Sequence, residues 1–322
     1  MPDAELKGIN MHPAFSVIFF TVASGSGFGL FSLLFIADTF RLGGGFSQDQ
    51  LVAGGLIAMG LVVFGLMSST FHLANPKNSW RAVSRFRTSW LSREGVFAIV
   101  FMPLALIYLG SILFDAPLWL RQTSGFLTAM LAWVTVFSTG MIYACLKTIR
   151  QWNTPLVPAN YLALGYASGS LLLLLGAVIA ELDTTPYIAM SALIISIAAV
   201  LKAIYYFWIR SPGLSPTINT ATGLTRAKVK LLDTGHTHGT FLTQEFGFQI
   251  ARRKAGLLRI VVFVIGFALP GLMLVWVFHQ QGGQTAAVIA ALAGLVGAAV
   301  ERWLFFAEAR HVVNLYHGAQ RC

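Results

Sequence analysis

Leu171-Leu172-Leu173-Leu174-Leu175 and the uncharged run Ala286-Ala287-Val288-Ile289-Ala290-Ala291-Leu292-Ala293-Gly294-Leu295-Val296-Gly297-Ala298-Ala299-Val300 decide the fold. Each lies at the heart of an apolar stretch of about 20 residues, long enough as a helix to cross roughly 30 Å of hydrocarbon. Working outward, such stretches occur near 14–38, 50–72, 95–114, 123–145, 159–181, 187–209, 257–279 and 284–307. The third contains Pro103, which neighbouring helices tolerate in a membrane bundle. The first begins at Ala14 without a basic leader or a small-residue cleavage pattern, so it is expected to stay as a span and not to be cleaved as a signal peptide. A composition 56% hydrophobic and 11% charged, with mean hydropathy +0.72, excludes a soluble domain of this size. The expected fold is an all-α integral membrane protein, a single domain over 1–322 built as an eight-transmembrane-helix bundle.

Charge gives that bundle a direction. Eight crossings put both termini on one side, with the loops 73–94, 146–158 and 210–256. Of 22 Lys and Arg residues, 19 fall on that side, Arg41 and Arg121 fall on the other, and Lys202 lies within a span. By the positive-inside rule the basic side is cytoplasmic, so the expected location is the inner membrane of a bacterium. A pI near 10.0 therefore reflects orientation and docking. Nucleic acid is a poor partner, since the basic residues alternate with spans and form no contiguous domain patch. Cys145 and Cys322 are the two cysteines, too few for a disulfide framework or for holding an iron–sulfur cluster.

The loop 210–256 is the one sizeable extramembrane segment. Ser211-Pro212-Gly213-Leu214-Ser215-Pro216 opens it as a turn-rich linker, and Thr243–Arg259 reads as an amphipathic helix. Its Arg252, Arg253 and Lys254 suit anionic lipid headgroups or a soluble partner equally. His236 and His238 lack a third ligand, so a polar loop is expected there and no metal site. Nothing in the chain has the size of a catalytic domain. Ser24-Gly25-Ser26-Gly27-Phe28-Gly29 imitates a nucleotide loop, but it lies inside a span and follows no strand. Close helix packing or space for a flat ring explains it better.

The most specific residues flank the second and third spans: Phe71-His72-Leu73-Ala74-Asn75-Pro76, Ser79-Trp80-Arg81-Ala82, and Thr88-Ser89-Trp90-Leu91-Ser92-Arg93-Glu94. The last span ends Glu301-Arg302-Trp303-Leu304-Phe305-Phe306-Ala307-Glu308, and the first opens His12-Pro13-Ala14-Phe15-Ser16-Val17-Ile18-Phe19-Phe20-Thr21. With the eight-helix count, this pattern resembles the DMSO reductase anchor family, the membrane subunits of molybdopterin oxidoreductases. That resemblance implies a molybdopterin catalytic subunit and an electron-transfer subunit with [4Fe–4S] clusters as partners. It also implies exchange of electrons with a respiratory-chain quinone (ubiquinone or menaquinone), and no haem in the anchor.

Quinone reduction consumes two electrons and two protons, so a site needs an apolar slot and protonatable groups at its carbonyls. His72 and Glu94 end and begin spans on either side of one loop, and both match positions the family uses for quinol binding. Imidazole titrates near neutrality, and a boundary carboxylate relays protons once desolvated. Against those roles, His72 also fits a helix end before Pro76, and Glu94 fits a first helical turn beside Ser92 as N-cap. Arg81 is a candidate quinone or carboxylate partner, and His12 a further quinone ligand. Arg85, Arg87 and Arg93, with Arg252, Arg253 and Lys254, are candidates for partner docking. Glu301 and Arg302, ionisable inside an apolar helix, serve either as structural glue or as a proton path. Lys202, two turns from Arg210, is expected to snorkel to the interface.

Orientation then discriminates within the family. Partners placed on a basic, cytoplasmic face resemble the branch that oxidises sulfite and passes the electrons to quinone. The alternative is a quinol-oxidising anchor of a DMSO, polysulfide or thiosulfate reductase. A secondary transporter would show inverted repeats and broken mid-membrane helices, which the sequence lacks. An anchor with no quinone site is a further alternative.

Overall fold

A computed structural model describes residues 15–70, 76–210, 216–224, 226–233, 254–279, 283–317 and 320. Among them, eight helices are long and apolar enough to cross a membrane. These are α1 Phe15–Thr39, α2 Gln48–Thr70, α3 Trp90–Leu113, α4 Leu118–Ala144, α5 Leu156–Ile179, α6 Thr185–Arg210, α7 Ala255–His279 and α8 Gln284–Ala307. A 3-10 segment, Pro76–Arg85, precedes α3.

The bundle closes around α1, which packs on α2, α4, α5 and α8. Small residues allow this. A Cβ on Gly27 would meet the Ala58 carbonyl of α2 at 2.6 Å, and one on Gly29 would meet the Gly165 carbonyl of α5 at 2.5 Å. The serine–glycine run in α1 is thus a packing surface that lets backbones approach closely. Its hydroxyls need no outside partner, because Ser24, Ser26 and Ser32 each bond the carbonyl four residues back. On the far side, α6 packs on α5 and α7, and α7 on α8.

Two helices start earlier than their apolar runs. α3 begins at Trp90, not 95, because Ser89 caps it and accepts from the Ser92 amide at 3.4 Å. Ser92 is therefore not the cap, and Glu94 lies a full turn inside the helix. α4 begins at Leu118, not 123, and carries Arg121 within it. Arg121 is tolerated there because Asp38 at the end of α1 pairs with it, while Tyr108 of α3 donates to the same carboxylate at 2.8 Å. α7 contains a π turn, Val264–Ala268. Pro270 has no N–H to offer the Gly266 carbonyl, and the wider turn absorbs that break.

Candidate functional site

Glu94 projects from the second turn of α3 into the bundle and is only 4% exposed. Thr139 of α4 donates to its carboxylate at 2.5 Å. Trp90, one turn before Glu94 on the same stripe, meets Phe137 edge-on at 6.0 Å, and Phe137 stacks on Trp133 at 5.6 Å. A buried carboxylate thus shares a helix stripe with an aromatic cluster at the basic end of the bundle.

A second charged group joins side chains of α6 and α8. Glu301 is fully buried, Lys202 is 1% exposed and Arg302 4%. Lys202 Nζ bonds one Glu301 oxygen, and Arg302 Nε donates to the other at 2.5 Å. Two cations around one carboxylate leave an excess positive charge in an apolar setting, which is costly. Aromatic rings compensate in part: Lys202 Nζ lies 4.2 Å from the Tyr205 ring and 4.7 Å from Tyr206, and Arg302 lies 3.9 Å over Tyr161.

These two groups belong to one belt across the basic half of the bundle. Tyr161 of α5 stacks on Tyr143 of α4 at 5.8 Å, and both lie within electrostatic range of Glu94 and of Arg302. Trp152 braces this junction: it packs against Tyr143 at 5.1 Å and donates to the Phe305 carbonyl of α8 at 3.2 Å. On the other flank, Arg259 of α7 lies over Tyr206 at 5.0 Å and pairs with Glu308 at 2.5 Å.

Comparison with known proteins covers nearly all of the chain. Residues 9–307 match the family model described as DMSO reductase anchor subunit (DmsC). The chain is a member of the DMSO reductase anchor subunit family. Over 323 aligned residues it is 33% identical to a sulfite dehydrogenase subunit of Allochromatium vinosum, covering 95% of this chain and 99% of that one.

In this DMSO reductase anchor, the residues picked from sequence separate into three groups. His12, His72, Arg252 and Arg253 lie outside the described residues, as does most of the expected helix 243–259. Glu94, Glu301 and Arg302 are buried in the belt. Arg81, Arg85 and Arg87 are exposed on the segment before α3, with the Arg81 guanidinium 5.6 Å from the exposed Trp80 ring. Lys254 is exposed just before α7. Arg93 closes its own loop, donating to the Phe86 and Arg87 carbonyls at 3.0 and 2.8 Å.

Lys202 corrects the snorkelling expectation, since its ammonium turns into the bundle and bonds Glu301. A signal for this exists in the sequence: Tyr187, Ser191, Ile195, Ala198, Lys202 and Tyr205 recur every three or four residues, and all are buried on one face of α6. Tyr143, Tyr161 and Glu308 were missed outright. Tyrosines near membrane boundaries are common enough that sequence gives no reason to prefer these.

Proposed function

We propose that this anchor passes electrons to membrane quinone in a molybdopterin oxidoreductase complex that oxidises sulfite. Electrons would arrive from a catalytic molybdopterin subunit through the [4Fe–4S] clusters of an electron-transfer subunit. The end-to-end similarity to a subunit of a sulfite dehydrogenase carries the substrate class. Glu94, a buried carboxylate at the end where the basic loops lie, carries the quinone site. Quinone supplies the two-electron, two-proton chemistry. Glu94 holds a proton for a ring oxygen, Thr139 fixes its carboxylate, and Trp90 and Phe137 present apolar faces to the ring. His72, across the loop from Glu94, is assigned the second carbonyl. Arg81 and His12 are assigned supporting contacts.

The docking surface is the segment Pro76–Arg85 with the turn after it. Trp80, Val83 and Phe86 are exposed there among Arg81, Arg85 and Arg87. Exposed aromatic and arginine side chains interleaved are what a partner interface favours. The excess of Lys and Arg on this side supports a cytoplasmic position for the surface.

The test is Glu94→Gln in the assembled complex, which keeps shape and removes the titratable group. Sulfite-to-quinone turnover is expected to fall on the order of 100-fold, the usual range for losing a positioned proton donor. Sulfite oxidation with a soluble dye acceptor is expected to persist. Unchanged quinone turnover would remove Glu94 from the site. The family's description as a DMSO reductase anchor subunit favours a second reading, quinol-driven reduction of DMSO or a related acceptor. Purified complex that reduces such an acceptor with quinol, and does not oxidise sulfite, would establish that alternative.

A further inference from the structure

Five buried side-chain polar atoms lack a hydrogen-bond partner among the described residues: Asn160 Oδ1, Tyr161 Oη, Tyr206 Oη, Arg259 Nε and Arg302 Nη1. Four of them, on Tyr161, Tyr206, Arg259 and Arg302, lie along the belt. Elsewhere among the described residues, buried hydroxyls such as those of Ser24, Ser32, Thr128 and Ser170 are satisfied by nearby carbonyls. Buried orphans are costly, and so many in one place call for a common explanation. Between α1, α5 and α8 a crevice of about 10 Å³ is lined by Thr21, Ser26, Ser168, Tyr161 and Arg302. That is about the space of one water molecule, and its polar lining supplies the partners a buried water requires.

We infer that the belt is a hydrated proton path from the Arg259–Glu308 edge of the basic end to Glu94. This rests on the quinone role proposed for Glu94. Glu308 is the entry group: it is half of an ion pair at the end of α8, and it lies within electrostatic range of Lys202. From there the order of proton-bearing atoms is Lys202 Nζ, Glu301, water at Arg302 Nη1, Tyr161 Oη, Tyr143 Oη and the Glu94 carboxylate. Arg302 keeps its own proton, because a guanidinium is not deprotonated in proteins. It orders the water and holds the charge that balances Glu301. Each hydroxyl donates its proton toward Glu94 and takes one from the side of Glu301, so every O–H broken is matched by one formed. Two such transfers replace the two protons that Glu94 delivers for every two electrons received.

A route of this kind answers a geometric need. Glu94 points into the bundle, and the loop that would otherwise hydrate it is the proposed docking surface. Lateral entry leaves protons accessible when a partner covers that loop.

The experiment uses Tyr161→Phe, Tyr143→Phe and Glu301→Gln in the complete complex. Tyr161→Phe is expected to slow quinone reduction on the order of tenfold and to raise the solvent deuterium isotope effect. It should leave binding of a short-chain quinone analogue and dye-linked sulfite oxidation at their normal values. A readout independent of turnover is the infrared band of bound water, identified by its shift in heavy-oxygen water, which should weaken in the resting Tyr161→Phe complex. Should Glu301→Gln fail to assemble, the two Phe variants decide. Assembled Phe variants with normal rate, isotope effect and water band overturn the path. If Glu94→Gln is impaired while the Phe variants are normal, only the proton path falls; if Glu94→Gln is also normal, the quinone role falls with it.

Discussion

Glu301 holds two cations at once, and the consequences of removing each partner differ. Loss of the carboxylate leaves Lys202 and Arg302 facing one another, both within 4% of complete burial. Breaking a buried pair in this way costs about 3–5 kcal/mol. Loss of Lys202 instead removes the excess cation and leaves Glu301 bonded to Arg302 at 2.5 Å. Glu301→Gln should therefore lower the unfolding temperature of the detergent-solubilised protein far more than Lys202→Met. Equal losses would show that Lys202, and not Glu301, organises the group. The same residues mark what sequence could disclose. Glu301 and Arg302 stood out because ionisable groups in apolar helices are rare and expensive, and Glu94 because it borders a span and matches a position that the resembling family uses. Their partners did not, because Glu94 and Thr139 are 45 positions apart and Lys202 and Glu301 are 99 apart.

At the scale of the helix, two pairs depend on absent side chains. In the first, a Cβ at Gly169 of α5 would lie 2.4 Å from the Leu30 amide of α1, mirroring the Gly29 contact. In the second, a Cβ at Gly297 of α8 would lie 2.1 Å from Gly266 Cα, which the π turn of α7 brings forward. Gly29→Ala must move backbone, and overpacking of this kind costs about 1–3 kcal/mol. Gly60→Ala in α2 meets nothing within 4 Å and should be neutral or mildly stabilising, since Ala is the better helix former. Thermal unfolding of both variants tests the pair; a harmless Gly29→Ala would mean that α1 and α5 are not in contact as described. All eight spans were legible from apolar length alone, because hydrocarbon thickness fixes that length. Which helix sits at the centre was not, since α1 and its lipid-facing neighbours are apolar all round. Only the density of glycine and serine in α1 distinguishes it.

For the whole molecule, sidedness decides what the anchor can serve. The belt, the exposed Trp80–Phe86 surface and Cys145 at the end of α4 all belong to the basic end, whereas Arg41 and the Asp38–Arg121 pair line a cleft of about 610 Å³ at the opposite end. An anchor receiving electrons from cytoplasmic sulfite oxidation must turn its basic end inward, the orientation expected from the positive-inside rule. A quinol-oxidising anchor with external partners would turn the same surface outward. Cys145 is exposed, so it reports this directly once Cys322→Ser leaves it as the sole thiol. In intact cells a membrane-impermeant maleimide should leave Cys145 unlabelled and should label it after permeabilisation. With Cys145→Ser added, Arg41→Cys should label without permeabilisation. The reverse pattern at both positions would move the docking surface outside the cell, and with it the electron donor, so that the sulfite assignment could not stand.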